Sequence, residues 1–156
     1  MRSMEEVVWA VNPEHDTFDA LANYLSNYGQ GFLGIAGVRC RLELPLVLPD
    51  RPLSAQIRHN LFLAFKEALN NAVKYAEATE VRISLKLGED SFTLKVEDDG
   101  GGIDPGASDA PMRPTSGSGL VNMKNRMDEI GGTCILRSNL GQGTTVEFNV
   151  PFTISP

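Results

Sequence analysis

The apolar positions of the chain change period several times, and each change marks an element. From Asp16 or Thr17, either of which can cap a helix, apolar residues recur at Phe18, Leu21, Ala22, Leu25, Phe32 and Leu33 and stop before Gly37, which predicts a first helix. Val38 to Leu44 then alternates strictly, so Val38, Cys40, Leu42 and Leu44 share one face of a strand and Cys40 reads as a core residue. After a loop punctuated by Pro45, Pro49 and Pro52, Ser54 can cap a long helix running to about Ala76. At roughly 100° per residue, Leu61, Phe65, Ala68, Leu69, Ala72, Val73 and Ala76 fall on one arc, while Glu67, Asn70, Asn71 and Lys74 gather opposite. Period two returns at Val81, Ile83, Leu85 and Leu87 and again at Phe92, Leu94 and Val96, with Gly88-Glu89-Asp90 as the turn of a hairpin. A second loop carries Pro105, Pro111 and Pro114. Gly117-Ser118-Gly119 then opens a helix bearing Leu120, Met123, Met127 and Ile130, which halts at Gly131-Gly132. Two strands close the chain, Thr133 to Arg137 and the run Thr144, Val146, Phe148, Val150. Three helices of this length can cover one face of a five-stranded sheet, so the pattern predicts an α+β two-layer sandwich.

Composition narrows the function classes. With 156 residues, 42% hydrophobic and 22% charged, the chain has the make-up of one ordinary globular domain. No run approaches the roughly 18 to 20 apolar residues of a membrane helix, and the first thirty residues lack a basic leader followed by an apolar stretch, so secretion and membrane spanning are not expected. Fourteen Lys and Arg against twenty Asp and Glu give a net charge of −6, which disfavours nucleic acid as a partner. Cys40 and Cys134 are far apart and neither lies in a CxxC pair, so neither zinc nor a disulfide framework is indicated and a reducing cytoplasm fits best. Only His15 and His59 supply imidazole. Carboxylates, amides, lysine and backbone must carry the chemistry.

Four places concentrate such groups. One further step of alternation from Val96 puts Asp98 on the apolar face at a strand end, where an unpaired carboxylate is costly. The following Gly100-Gly101-Gly102 would let backbone approach a ligand, although a tight turn with an acidic start accounts for this cluster by itself. Gly117-Ser118-Gly119 ahead of a helix offers free N–H groups to phosphate. Gly141-Gln142-Gly143 reads as a hairpin turn, yet Thr144 shares parity with Val146, Phe148 and Val150, so its hydroxyl points inward and needs a partner. On the long helix, Glu67, Asn71 and Lys74 stand at i, i+4 and i+7 in one stripe. A solvated face is the ordinary meaning of such a stripe; a carboxylate, an amide oxygen and an ammonium are also a hard donor set suited to Mg²⁺ with phosphate.

Taken together and in this order, the clusters resemble the motifs of the GHKL ATPase superfamily, most closely the catalytic ATP-binding domain of bacterial sensor histidine kinases. Glu67-Ala68-Leu69-Asn70-Asn71-Ala72-Val73-Lys74-Tyr75-Ala76 resembles the N box, Asp98-Asp99-Gly100-Gly101-Gly102 the DxGxG box, Gly117-Ser118-Gly119-Leu120 the GxGL box and Gly141-Gln142-Gly143-Thr144 the GxGT box. The run from Gly117 through Asn122-Met123-Lys124-Asn125-Arg126-Met127 to Gly131-Gly132 is similar to the nitrate-response and lipid-desaturation kinases. Val8-Trp9-Ala10-Val11-Asn12-Pro13 resembles the joint that follows the dimerisation helices.

The resemblance implies the Bergerat fold, a mixed sheet backed by helices with ATP between the N-box helix and a lid. It implies that residues 1–15 are the tail of the dimerisation helix or a linker and that residues 16–156 are the catalytic domain. Asp98 would accept a hydrogen bond from the adenine amino group, with Thr144 supporting it through water. Asn71 would ligate Mg²⁺, Glu67 would hold a metal-bound water or assist proton transfer, and Lys74 would neutralise phosphate. Asn70 and Tyr75, the latter in place of a frequent histidine, would join the nucleotide site with Gly100, Gly102 and Ile103. Ile103 to Ser116 would form the lid, and Gly117, Ser118, Gly119 and Leu120 would meet the phosphates, Gly117 and Gly119 through their N–H groups.

The implied function is transfer of the γ-phosphoryl of Mg²⁺-ATP to a histidine on a separate dimerisation domain, with a response regulator as an indirect partner. The fragment itself would touch no membrane, though the cytoplasmic part of an anchored sensor fits it. His15 follows Asn12-Pro13-Glu14 at a helix start and His59 lies on the N-box helix, so neither suits the role of acceptor. An anti-sigma-factor-type serine kinase shares these boxes and this length, and a non-catalytic nucleotide-binding module is the other alternative.

Overall fold

The computed structural model describes residues 17–74, 78–100, 114–139 and 143–153. Helix α1 spans Phe18–Ile35, after an extended Thr17. Thr17 gives its hydroxyl to the Asp19 carboxylate and makes no capping bond to the backbone. Phe18, Leu21, Ala22, Leu25 and Leu33 are buried, the stripe that the sequence spacing predicts. Gly37 adopts φ 76°, and the N–H groups of Gly37 and Val38 donate to the carbonyls of Gly34 and Leu33 at 3.1 and 2.8 Å. That is a Schellman ending, which requires a residue free to enter the left-handed region. Strand β1, Arg39–Glu43, follows at once.

Helix α2 spans Ala55–Lys74 and is capped by Ser54, whose Oγ accepts the Ile57 N–H at 3.1 Å. Its buried side includes the predicted Leu61, Phe65, Ala68, Leu69 and Ala72; Val73 is half-buried and Ala76 lies outside the described residues. The buried arc is wider than expected because Tyr24 and Tyr28 of α1 pack on Phe62, at ring distances of 5.2 and 5.0 Å. Strands β2, Glu80–Leu87, and β3, Ser91–Asp98, form the expected hairpin, followed by helix α3, Pro114–Glu129, β4, Thr133–Asn139, and β5, Gly143–Pro151.

Helix α3 begins three residues before Gly117, so the glycine pair lies inside its first turns and 114–116, expected in the lid, are helical. Pro114 explains the difference: at the first helical position its missing N–H costs nothing and its φ is already suitable, so it starts the helix instead of ending the loop. The helix ends as expected, with Gly131 at φ 75° and Gly132 N–H donating to Met127 at 2.8 Å.

The five strands form one mixed sheet in the order β1-β2-β3-β5-β4, with β1 parallel to β2 and the other neighbours antiparallel. The core lies between one face of this sheet and the helices, with Phe18, Phe62, Phe65, Phe92 and Phe148 almost fully enclosed. This is the α+β two-layer sandwich of the sequence pattern. Cys40 has the predicted parity but is only half-buried, because β1 is an edge strand with a neighbour on one side only. Phe152 adds a rim contact beyond the predicted set, packed on Phe18 and Phe92 and covered by Arg51 3.7 Å from its ring centroid.

Candidate nucleotide site

Asp98 is the last residue of β3, and its two cross-strand partners are Val81 on β2 and Thr144 on β5. The buried face of β3, Phe92, Leu94 and Val96, ends in Asp98, which is half-buried where full enclosure was expected. Its Oδ1 accepts the Gly100 N–H at 2.9 Å. Burial pushes the carboxyl above the usual aspartate range; the N–H groups of Gly100 and Thr144 oppose that shift and the neighbouring Asp99 charge adds to it. Thr144 is 7% exposed, on the buried face of β5 as its parity requires. The sequence therefore located a polar pair at the rim of the core.

Gly143 is what allows the two strands to meet here. It stands at φ 89°, and a Cβ at this position would lie 2.0 Å from the Asp98 carbonyl oxygen. A side chain would part β5 from β3 at the residue that matters. Sequence reading took this glycine as a turn; its contact with Asp98 depends on register, which no local pattern encodes.

The second group lies on α2. Glu67, Asn70 and Asn71 are half-buried and Lys74 is exposed. Helix α3 packs alongside, and a cleft of about 280 Å³ between the two helices is lined by Glu67 and Asn70 together with Lys66, Asn122 and Arg126. Arg126 reaches across to Asn60 Oδ1 at 3.4 Å, and Asn60 is 3% exposed. The stripe therefore faces a partner helix along part of its length, in contrast to a wholly solvated face. Sequence reading missed Arg126 and Asn60, whose pairing spans 66 positions. Among the described residues no group of three His, Cys, Asp or Glu could hold a metal by itself.

Several expected site residues fall elsewhere. Tyr75, Gly102 and Ile103 lie outside the described residues, as do His15 and 104–113 of the expected lid. Gly117, Ser118, Gly119 and Leu120 belong to α3, of whose first turns only the backbone is described. With the helix starting at Pro114, Gly117 is its fourth residue, where intrahelical bonding begins as it does at Leu21 of α1 and Arg58 of α2, so the N–H groups left without a helical acceptor are those ahead of both glycines. His59 is half-buried on α2.

Asp99, also missed, faces the other way from Asp98. Its Oδ1 accepts the N–H groups of Thr79 and Glu80 at 2.8 and 2.9 Å, and Oδ2 accepts the Thr79 hydroxyl. These bonds, the hydroxyl first, hold its carboxyl below the ordinary aspartate range.

The chain is 31% identical over 105 residues to the signal transduction histidine-protein kinase/phosphatase DegS of Bacillus subtilis, covering 67% of this chain and 27% of that protein. Against the sensor histidine kinase LiaS of the same organism it is 34% identical over 110 residues, 70% of this chain and 29% of the relative. It thus spans between a quarter and a third of the length of these relatives. Among solved structures, the histidine kinase domain of the Erythrobacter litoralis blue-light activated histidine kinase superposes with a TM-score of 0.68 at 20% identity, over 85% of this chain and 61% of that one. The full-length structure of ShkA in complex with AMPPNP gives 0.65 at 23% identity, over 86% and 30%. Both show the same fold. The family described as histidine kinase-, DNA gyrase B- and HSP90-like ATPase matches residues 56–154, which include α2, the Asp98 strand end, α3 and Thr144, and the chain belongs to this family.

Proposed function

We propose that this chain is the ATP-binding catalytic domain of a sensor histidine kinase, acting on a histidine carried by a separate dimerisation domain whose last helix residues 1–15 would continue. The observation that carries the reading is the half-buried Asp98 facing Thr144 at the end of the core face, beside a glycine that admits no side chain. A desolvated carboxylate, already bonded to one N–H through Oδ1, still has lone pairs to offer an adenine amino group. Thr144 supplies a hydroxyl beside it.

On α2, Asn71 and Glu67 offer one amide oxygen and one carboxylate to Mg²⁺, which accepts water and phosphate oxygens as its remaining ligands. When bound, the ion neutralises charge at the phosphates. Lys74, exposed at the helix end, is long enough to bring an ammonium to the same phosphates. Glu67 would accept the proton that an acceptor imidazole loses as its nitrogen bonds to the γ-phosphorus and the bond to the ADP oxygen breaks. Positioning and charge neutralisation dominate such transfer. The relatives named as sensor histidine kinases favour a histidine over a serine acceptor. No helix among the described residues is long and apolar enough to cross a membrane.

The test is calorimetric titration of ATP and ADP into wild type and Asp98→Asn with Mg²⁺ present. Removing a desolvated charge-assisted bond should weaken binding by a factor of about 30 or more. Affinity within about threefold of wild type would remove the adenine assignment.

A further inference from the structure

The two aspartates at the end of β3 divide their work. Asp98 ends the buried face, and Asp99, one residue later, turns its carboxylate toward the start of β2. Three donors converge on that carboxylate: the Thr79 N–H, the Thr79 hydroxyl and the Glu80 N–H. The Asp99 N–H in turn donates to the Glu80 carbonyl at 3.3 Å. Thr79 is itself fixed on its other side, since its carbonyl accepts the Arg39 N–H of β1 at 2.9 Å. Behind it, the N–H of buried Ala78 donates to Ala72 of α2 at 3.3 Å. The Asp99 carboxylate is therefore a side-chain clamp that joins the end of β3 to the start of β2, one residue after the Ala78 bond that ties this segment to α2. The last ladder pair between β2 and β3 is Val81 with Asp98, so beyond it the clamp supplements the one main-chain bond from Asp99 to Glu80.

We propose that Asp99 is a positioning residue for purine recognition: by holding the end of β3 against residues 79–80 it sets the direction of the Asp98 carboxylate relative to α2. The proposal rests on the reading of Asp98 as the adenine acceptor. A group that only stabilised the fold would alter melting without altering which base is preferred, whereas a group that aims Asp98 must alter base preference.

Asp99→Ala, Asp99→Asn, Thr79→Val and Asp98→Asn should be titrated with ATP and with GTP, well below each melting temperature. Asp99→Ala should lose about tenfold in ATP affinity and most of the ATP-over-GTP preference. Asp99→Asn should restore both, because an amide oxygen can accept the two N–H groups and its NH₂ can donate to the Thr79 hydroxyl. Thr79→Val, which removes only the hydroxyl, should reduce the preference by about threefold and carries the test if Asp99→Ala does not fold. An ATP-over-GTP ratio that stays at the wild-type value in the folded Asp99→Ala and in Thr79→Val, whatever the melting temperature, overturns the proposal. If Asp98→Asn collapses the preference while those two variants do not, only the role of Asp99 fails. If Asp98→Asn is itself neutral, the adenine reading fails and this inference with it.

Discussion

Replacing Gly143 by alanine would ask one methyl group to occupy space already held by the neighbouring strand. The added Cβ would sit 2.0 Å from the Asp98 carbonyl oxygen and 3.1 Å from its carbonyl carbon, both backbone atoms that no rotamer change can move. A φ of 89° adds the cost of a left-handed conformation for an L-residue, about 1–2 kcal/mol. Relieving the clash means shifting β5 from β3 by more than 1 Å at this end, which loosens one or two ladder bonds at about 0.5–1.5 kcal/mol each. The sum is roughly 2–5 kcal/mol, or a fall in melting temperature of roughly 5–15 °C for a domain of this size. The chemical change has an internal control. In Gly31→Ala, on an exposed part of α1, the new Cβ has nothing within 4 Å. That variant should gain about 0.5–1 kcal/mol from reduced unfolded-state freedom. Thermal unfolding followed by circular dichroism reads both, and titration with ATP reads the displacement of Asp98 in the first. A Gly143→Ala protein within about 1 kcal/mol of wild type would show that the approach of β5 to Asp98 is not as close as the register requires.

Three other outcomes follow from named groups. Because Asp98 must be charged to accept and burial raises its pKa, ATP affinity should fall as pH drops, beginning above 3.8, the value for a free aspartate; titrations from pH 7.5 down toward 3.8 check this, and an affinity that stays flat over that whole range refutes it. The same shift means that Asp98 favours folding below its unfolded pKa and loses that contribution as pH rises through its folded value, while the lowered Asp99 contributes above its unfolded pKa and loses it as pH falls. Alkylation at pH 8 should be slow at both thiols and slower at Cys134, which is buried with its pKa pushed up to about 11, than at half-buried Cys40; equal rates on a peptide map would contradict the packing of β4. Glu67→Gln should slow phosphoryl transfer to a histidine-bearing helical domain supplied in trans by about 100-fold or more while ATP affinity stays within about threefold, and full transfer activity would remove Glu67 from proton handling.

The features legible in the sequence are those set by a local period or a single backbone requirement. Parity placed Asp98 and Thr144 on the core face of their strands, since alternation is fixed by the pleat whatever the neighbours are. Gly37 and Gly131 announced helix ends because only a left-handed residue closes those turns. Ser54 announced a helix start for a similar reason. What could not be read depends on partners far along the chain. The insertion of β5 between β3 and β4 leaves no mark on the period of either strand. Asp99 became intelligible only when Thr79, twenty positions earlier, was found against it. Arg58 and Asn60 look like surface residues in α2, yet both are buried, Arg58 donating to the Leu53 carbonyl and Asn60 meeting Arg126. Pro114 was ambiguous because the same ring that ends one element can begin another.

The site sits where a one-sided core runs out, and the other side of the sheet shows why that place is well defined. Helices cover a single face; the outer face carries charges at alternate positions. Glu80 lies between Arg39 and Arg41 at 3.7 and 3.9 Å, Arg82 between Glu43 and Glu97 at 3.6 Å each, and Glu147 between Lys95 and Arg137 at 3.9 and 3.5 Å. Solvent-exposed pairs of this kind contribute about 0–1 kcal/mol apiece, so they keep a bare sheet face in water and guard the β1 edge more than they hold the strands together. Cohesion therefore comes from the helix-covered face, whose apolar rows on β3 and β5 run from Phe92 and Val150 to Val96 and Val146 and end at Asp98 and Thr144. The same rows that stabilise the sheet thus deliver a carboxylate and a hydroxyl, opposite each other, to the first position where the core no longer encloses them fully. Desolvation enough to strengthen a polar contact and exposure enough to admit a ligand coincide only at such a rim.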